Sequence, residues 1–258
     1  MNIECSRKAQ KRFDNLIKPV GSLGKLEKMI CRYCAIQEET DPGIIAYPQR
    51  VVLLFYVEAQ EELEKYTSRQ APLAILCQNT GSTLIPVKIP CAPLTSAEYR
   101  QIGGKAARQA VGEGNTLIAL AAAECKTSAK SYHAGIVETM TGAILEADQQ
   151  QAMFMLDGLA SVQAAAEALQ VKPNVRDYLC ATQITLERGQ EELVHALALE
   201  PVLRLHFTIG VGYGATLAFT LFDAGLRAYK EMATFGEAGV HEEMQEFSQA
   251  QVDKKEKV

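Results

Sequence analysis

Val51-Val52-Leu53-Leu54-Phe55-Tyr56-Val57 is an unbroken run of β-branched, aliphatic and aromatic side chains. A strand with one wet face alternates apolar and polar residues; a run without alternation reads as a strand covered on both faces, the signature of a parallel sheet. Its surroundings repeat a strand–helix alternation. Ala71 to Gln78 is predicted helical and Thr83 to Ile89 a strand. Thr95 and Glu98 have the spacing of a capping box that opens a helix running to about Val111. Thr116 to Ala123 follows as a strand, Thr127 to Asp148 as a helix, Ala152 to Leu156 as a strand, Leu159 to Leu169 as a helix and Tyr178 to Thr182 as a short strand. Strands alternating with helices imply an α/β fold, a parallel-sheet Rossmann-like layered domain.

Upstream of the run, Leu26, Met29, Ile30, Tyr33 and Ile36 repeat at helical spacing, and Asp41-Pro42-Gly43 ends that helix. From Leu186 onward the chain reads as almost wholly helical. Residues 46–214 are therefore expected to form the α/β core. Residues 1–45 and 215–258 are expected to form a small helical subdomain, with a charged tail from His241 to Val258.

The chain has 258 residues, 48% of them apolar and 22% charged, with a formal charge of −5. That balance suits a globular protein and gives no reason to expect nucleic acid or an anionic membrane as partner. No window reaches the roughly 18 apolar residues needed to span a bilayer. Seven dispersed cysteines, an odd number, suit free thiols in a reducing cytoplasm.

Four segments invite a chemical reading. Lys18-Pro19-Val20-Gly21-Ser22-Leu23-Gly24-Lys25-Leu26-Glu27 has two glycines and a proline, which also serve as plain punctuation between helices. Asp157-Gly158 ends a strand, where ligands of open parallel sheets bind, although an aspartate there can equally cap the next helix. Gly210-Val211-Gly212-Tyr213-Gly214 precedes the apolar run Ala215 to Tyr229. Such glycines let backbone N–H groups approach a phosphate, or let helices pack closely. In Met232-Ala233-Thr234-Phe235-Gly236-Glu237-Ala238-Gly239-Val240, apolar surroundings would raise the Glu237 pKa toward the general-base range, although most glutamates so placed are simply solvated. Cys31-Arg32-Tyr33-Cys34 sits mid-helix without a second pair, and His133, His195, His206 and His241 share no ligand spacing; neither group points to a metal or a cofactor.

In order along the chain, these segments resemble the nicotinate-nucleotide:dimethylbenzimidazole phosphoribosyltransferases. Lys18 to Glu27 is similar to the family's K-P-x-G-S-L-G-x-L-E. Gly142-Ala143-Ile144-Leu145 with Met153 to Gly158 is similar to its G-A-I-L helix and V-L-V-D-G strand end. Val175 to Leu179 and Leu199 to Leu203 fit two further stretches, and Met232 to Val240 matches M-A-T-F-x-E-A-G-V. The resemblance implies transfer of phosphoribose from nicotinate mononucleotide to an aromatic base, the lower ligand of a cobamide, with a glutamate of R-L-G-E-G-T-G-A as general base. It implies no cofactor and no metal, and it makes Asp157, Gly158, Gly210 and Gly212 the candidate substrate-binding residues.

The departures are systematic. Family members have about a hundred more residues. Where they read D-H-G-V this chain has Val57-Glu58-Ala59-Gln60. Their phosphate loop G-E-M-G-I-G-N-T-T aligns with Ala121 to Ala129, without its glycines or glutamate. Gly112-Glu113-Gly114-Asn115-Thr116 imitates that loop but precedes a strand instead of following one. The base position is Val211, with Glu237 only a weak substitute. The resemblance therefore implies a chain with no catalytic residue of its own. Its expected partner is a homologous full-length phosphoribosyltransferase subunit, in a heterodimer like those that transfer to phenol or p-cresol. An autonomous enzyme using Glu237 and Lys126, and a precursor-binding sensor, are the alternatives.

Overall fold

The computed structural model describes residues 1–57, 63–123 and 130–239. Contacts divide the chain into two units, Met1–Tyr47 with Leu221–Val258, and Pro48–Thr220.

The larger unit is built on five parallel strands: β1 (Gln49–Val57), β2 (Thr83–Ile89), β3 (Asn115–Ala122), β4 (Met153–Leu156) and β5 (Leu179–Ala181). Their order is β2-β1-β3-β4-β5, a doubly wound α/β sheet that reverses direction between β1 and β3. The run that starts the sequence argument is β1, an interior strand with Val51 to Phe55 buried. β2, on the sheet edge, is only half covered. The alanines of β3 are strand residues: Ala119 and Ala121 lie between β1 and β4 and are fully buried. Gly112 to Gly114 close a helix before this strand.

The helices of this unit are α3 (Glu64–Thr67), α4 (Pro72–Thr80), α5 (Ser96–Gly112), α6 (Lys130–Ile144), α7 (Ala147–Gln150), α8 (Leu159–Val171) and α9 (Gln190–Ala196). α5 opens with the expected capping box: Glu98 N–H donates to Thr95 Oγ1 at 3.3 Å, and Thr95 N–H to Glu98 Oε2 at 2.7 Å. α5 and α6 meet backbone to backbone. A Cβ on Gly103 would lie 1.7 Å from the Thr139 carbonyl oxygen, and one on Gly142 would lie 2.0 Å from that of Arg100. Gly142 of the G-A-I-L stretch is thus a helix-contact residue. Arg100–Glu138 and Arg108–Glu146 ion pairs flank the seam.

The expectation of near-continuous helix beyond Leu186 is wrong. Only α9 and α10 (Tyr213–Glu231) are helical there among the described residues, and residues 197–212 run without helix. Pro201, the left-handed Ala198 and the positive-φ Gly189 and Gly212 break the periodicity. The stretch instead follows the continuation of β5. Val202 N–H donates to Ala181 O at 3.1 Å, Leu203 N–H to Thr182 O at 2.8 Å and Leu186 N–H to Phe207 O at 2.8 Å.

In the smaller unit α1 (Ile3–Asn15) packs on α2 (Lys25–Gln37). Asn2 caps α1 through its side-chain oxygen, and Phe13, Tyr33, Phe222 and Tyr229 form the aromatic interior.

Candidate functional site

The carboxyl end of β4 brings the candidate residues together. Met153 to Leu156 are fully buried, and the strand delivers Asp157 into the interior with 1% of its surface exposed. Its Oδ2 accepts the N–H groups of Gly214 and Ala215 at 3.1 and 3.4 Å, the free donors of the first turn of α10. Its Oδ1 accepts from Gln183 Nε2 at 2.8 Å. Burial pushes the Asp157 pKa up from 3.8 to about 6, against the opposing pull of these hydrogen bonds. Gln183 Oε1 is buried without a hydrogen-bond partner among the described residues.

Gly158, at φ +85°, starts α8 in a conformation that L side chains rarely adopt. It faces Gly210: a Cβ on Gly210 would lie 1.9 Å from the Gly158 Cα. Gly212, at φ +102°, holds a conformation L side chains rarely adopt, and a Cβ on Gly214 would lie 2.5 Å from the Gln183 side chain. Asp157, Gly158, Gly210 and Gly212 therefore converge, and the glycines pack on backbone and side chains of the same unit. Val211, between them, is 1% exposed.

The N-terminus of α8 is also filled from within. Glu187 Oε2 accepts Leu159 N–H at 3.0 Å and Thr185 Oγ1–H at 2.9 Å. Gln190 braces the loop that presents it, accepting Thr185 N–H at 2.6 Å and donating to Gln183 O at 3.0 Å. The N-termini of α8 and α10 thus already hold a carboxylate of this chain. Sequence reasoning did not single out Glu187, Gln183 or Gln190. Glu187 reaches across 28 residues and Asp157 across 57, and no local spacing announces either contact.

The remaining candidates lie elsewhere. In Lys18 to Glu27, Lys18 Nζ meets Glu27 Oε1 at 2.8 Å, and both side chains are buried. Leu23 N–H donates to the same oxygen at 3.1 Å, so the segment closes on its own ion pair. Glu237 is exposed. The Thr234 N–H, donating to its carboxylate at 2.7 Å, holds its pKa below the usual range. Of the two readings, the solvated glutamate is the one the structure has: Glu237 caps its own turn. Burial pushes the Cys31 and Cys34 thiols up to about 12, unsuited to redox or metal work, and no metal-binding cluster occurs among the described residues. Glu58 to Gln60, Glu124 to Ala129 (with Lys126), Val240 and the tail from His241 lie outside the described residues. No helix of the described residues is long and apolar enough to cross a membrane.

Comparison with known proteins adds to this geometry. The nicotinate-nucleotide–dimethylbenzimidazole phosphoribosyltransferase of Ruminiclostridium cellulolyticum is 25% identical over an alignment of 341 residues, covering 94% of this chain and 95% of that protein. That alignment is longer than the chain itself, so the relative carries stretches this chain lacks. The enzyme of the same name from Shewanella baltica strain OS185 is 39% identical over 101 residues, 39% of this chain and 28% of its own length. The crystal structure of CobT from Thermus thermophilus superposes with a TM-score of 0.79 at 20% identity, over 92% of this chain and 99% of that one, which shows the shared fold. The family model described as phosphoribosyltransferase matches residues 1–128 and 133–240. With that match spanning nearly all of the strands and helices described above, the chain belongs to this phosphoribosyltransferase family.

Proposed function

We propose that the chain is one subunit of a phosphoribosyltransferase of cobamide biosynthesis. The complete enzyme moves phosphoribose from nicotinate mononucleotide to an aromatic lower-ligand base, a benzimidazole or a phenol such as p-cresol. It is active only with a homologous full-length partner chain, in the cytoplasm. The observation that carries this reading is the occupation of the N-termini of α8 and α10 by Glu187 and Asp157. A phosphate arriving there would meet two carboxylates instead of free N–H groups.

Three further features support it. Val211, where the family resemblance places the general base, can take no proton. Glu237 has a lowered pKa and is poorly suited to replace that base. The 341-residue alignment with the Ruminiclostridium cellulolyticum protein exceeds this chain's 258 residues, in keeping with pocket-forming stretches supplied by a second subunit. In this reading Asp157, Gly158, Gly210 and Gly212 keep the sheet end in the shape a partner's site abuts.

The test is turnover. The purified chain should convert no nicotinate mononucleotide with dimethylbenzimidazole or p-cresol. The same chain co-expressed with a full-length member from its host should co-purify with it and support transfer. Family-type turnover by the isolated chain would overturn the proposal. A single species that retains a base precursor, without partner or turnover, would replace it with the sensor reading.

A further inference from the structure

We draw no further inference here: the strongest candidate, the exposed apolar surface of Leu186 and Leu205 on the two loop segments beside the N-terminus of α8, carries none, because nothing in the structure shows what covers it.

Discussion

Two kinds of helix N-terminus stand side by side in the larger unit. α5 is closed by Thr95 and Glu98, three residues apart and exposed at the surface. α8 and α10 are closed by Glu187 and Asp157, carboxylates brought 28 and 57 residues along the chain to the carboxyl end of the sheet. The first is a local stop that any exposed helix can use. The second requires the whole sheet end to be assembled, and it consumes the N–H groups that an α/β fold otherwise offers to a phosphate. An N-terminus capped from a distance is a committed part of the interior, and its glycines serve packing.

The sharpest break of this comparison is steric. Gly210→Ala sets a Cβ 1.9 Å from the Gly158 Cα, backbone against backbone, and should destabilise the chain by about 3 kcal/mol or more in urea unfolding. Gly112→Ala, with open space around it at the end of α5, should be neutral or gain up to about 1 kcal/mol. Comparable losses in the two variants would mean that the sheet-end contact carries no special weight.

A pH series probes Asp157. Its folded pKa of about 6 lies above the ordinary 3.8, so between those values the folded state holds a proton that unfolding releases. Stability from this group is therefore fully present below about pH 4 and falls as pH rises through 6. The fall is on the order of 3 kcal/mol, at about 1.4 kcal/mol per pKa unit. Asp157→Asn should flatten that segment of the profile. Its amide can donate to Gln183 once the Gln183 amide turns over and presents Oε1, the atom now without a partner. An unchanged slope in the variant would assign the pH dependence elsewhere.

How much of this was legible follows the same division. The buried run at β1, the strand–helix alternation and the Thr95–Glu98 cap are written in neighbouring residues. They placed the sheet and opened α5 correctly. Asp157, Gly158, Gly210 and Gly212 stood out because glycine and a strand-end carboxylate are local signs, but whether they face a ligand or each other is a tertiary matter. Glu187, Gln183 and Gln190 carried no sign, because their partners are distant in sequence. The stretch after Leu186 misled for a related reason: Val202, Leu203 and Phe207 bond to the continuation of β5, and helical periodicity does not report a backbone satisfied by a distant segment.

Smaller effects refine the contrast. Glu187→Ala leaves Leu159 N–H without its acceptor and should lower stability by about 1–2 kcal/mol. Thr95→Ala removes a surface cap and should lower it by about 1 kcal/mol, without altering anything at the sheet end. If Thr95→Ala changed ligand behaviour as much as Glu187→Ala, local and distant caps would not differ in kind.

Calorimetric titration of the isolated chain with nicotinate mononucleotide tests the central claim most directly. With Glu187 and Asp157 seated on the two helix N-termini, the unmodified chain should show no saturable heat up to millimolar nucleotide, and Glu187→Ala should show more binding than the parent. Micromolar binding by the unmodified chain, undiminished or unaffected by the substitution, would contradict the account.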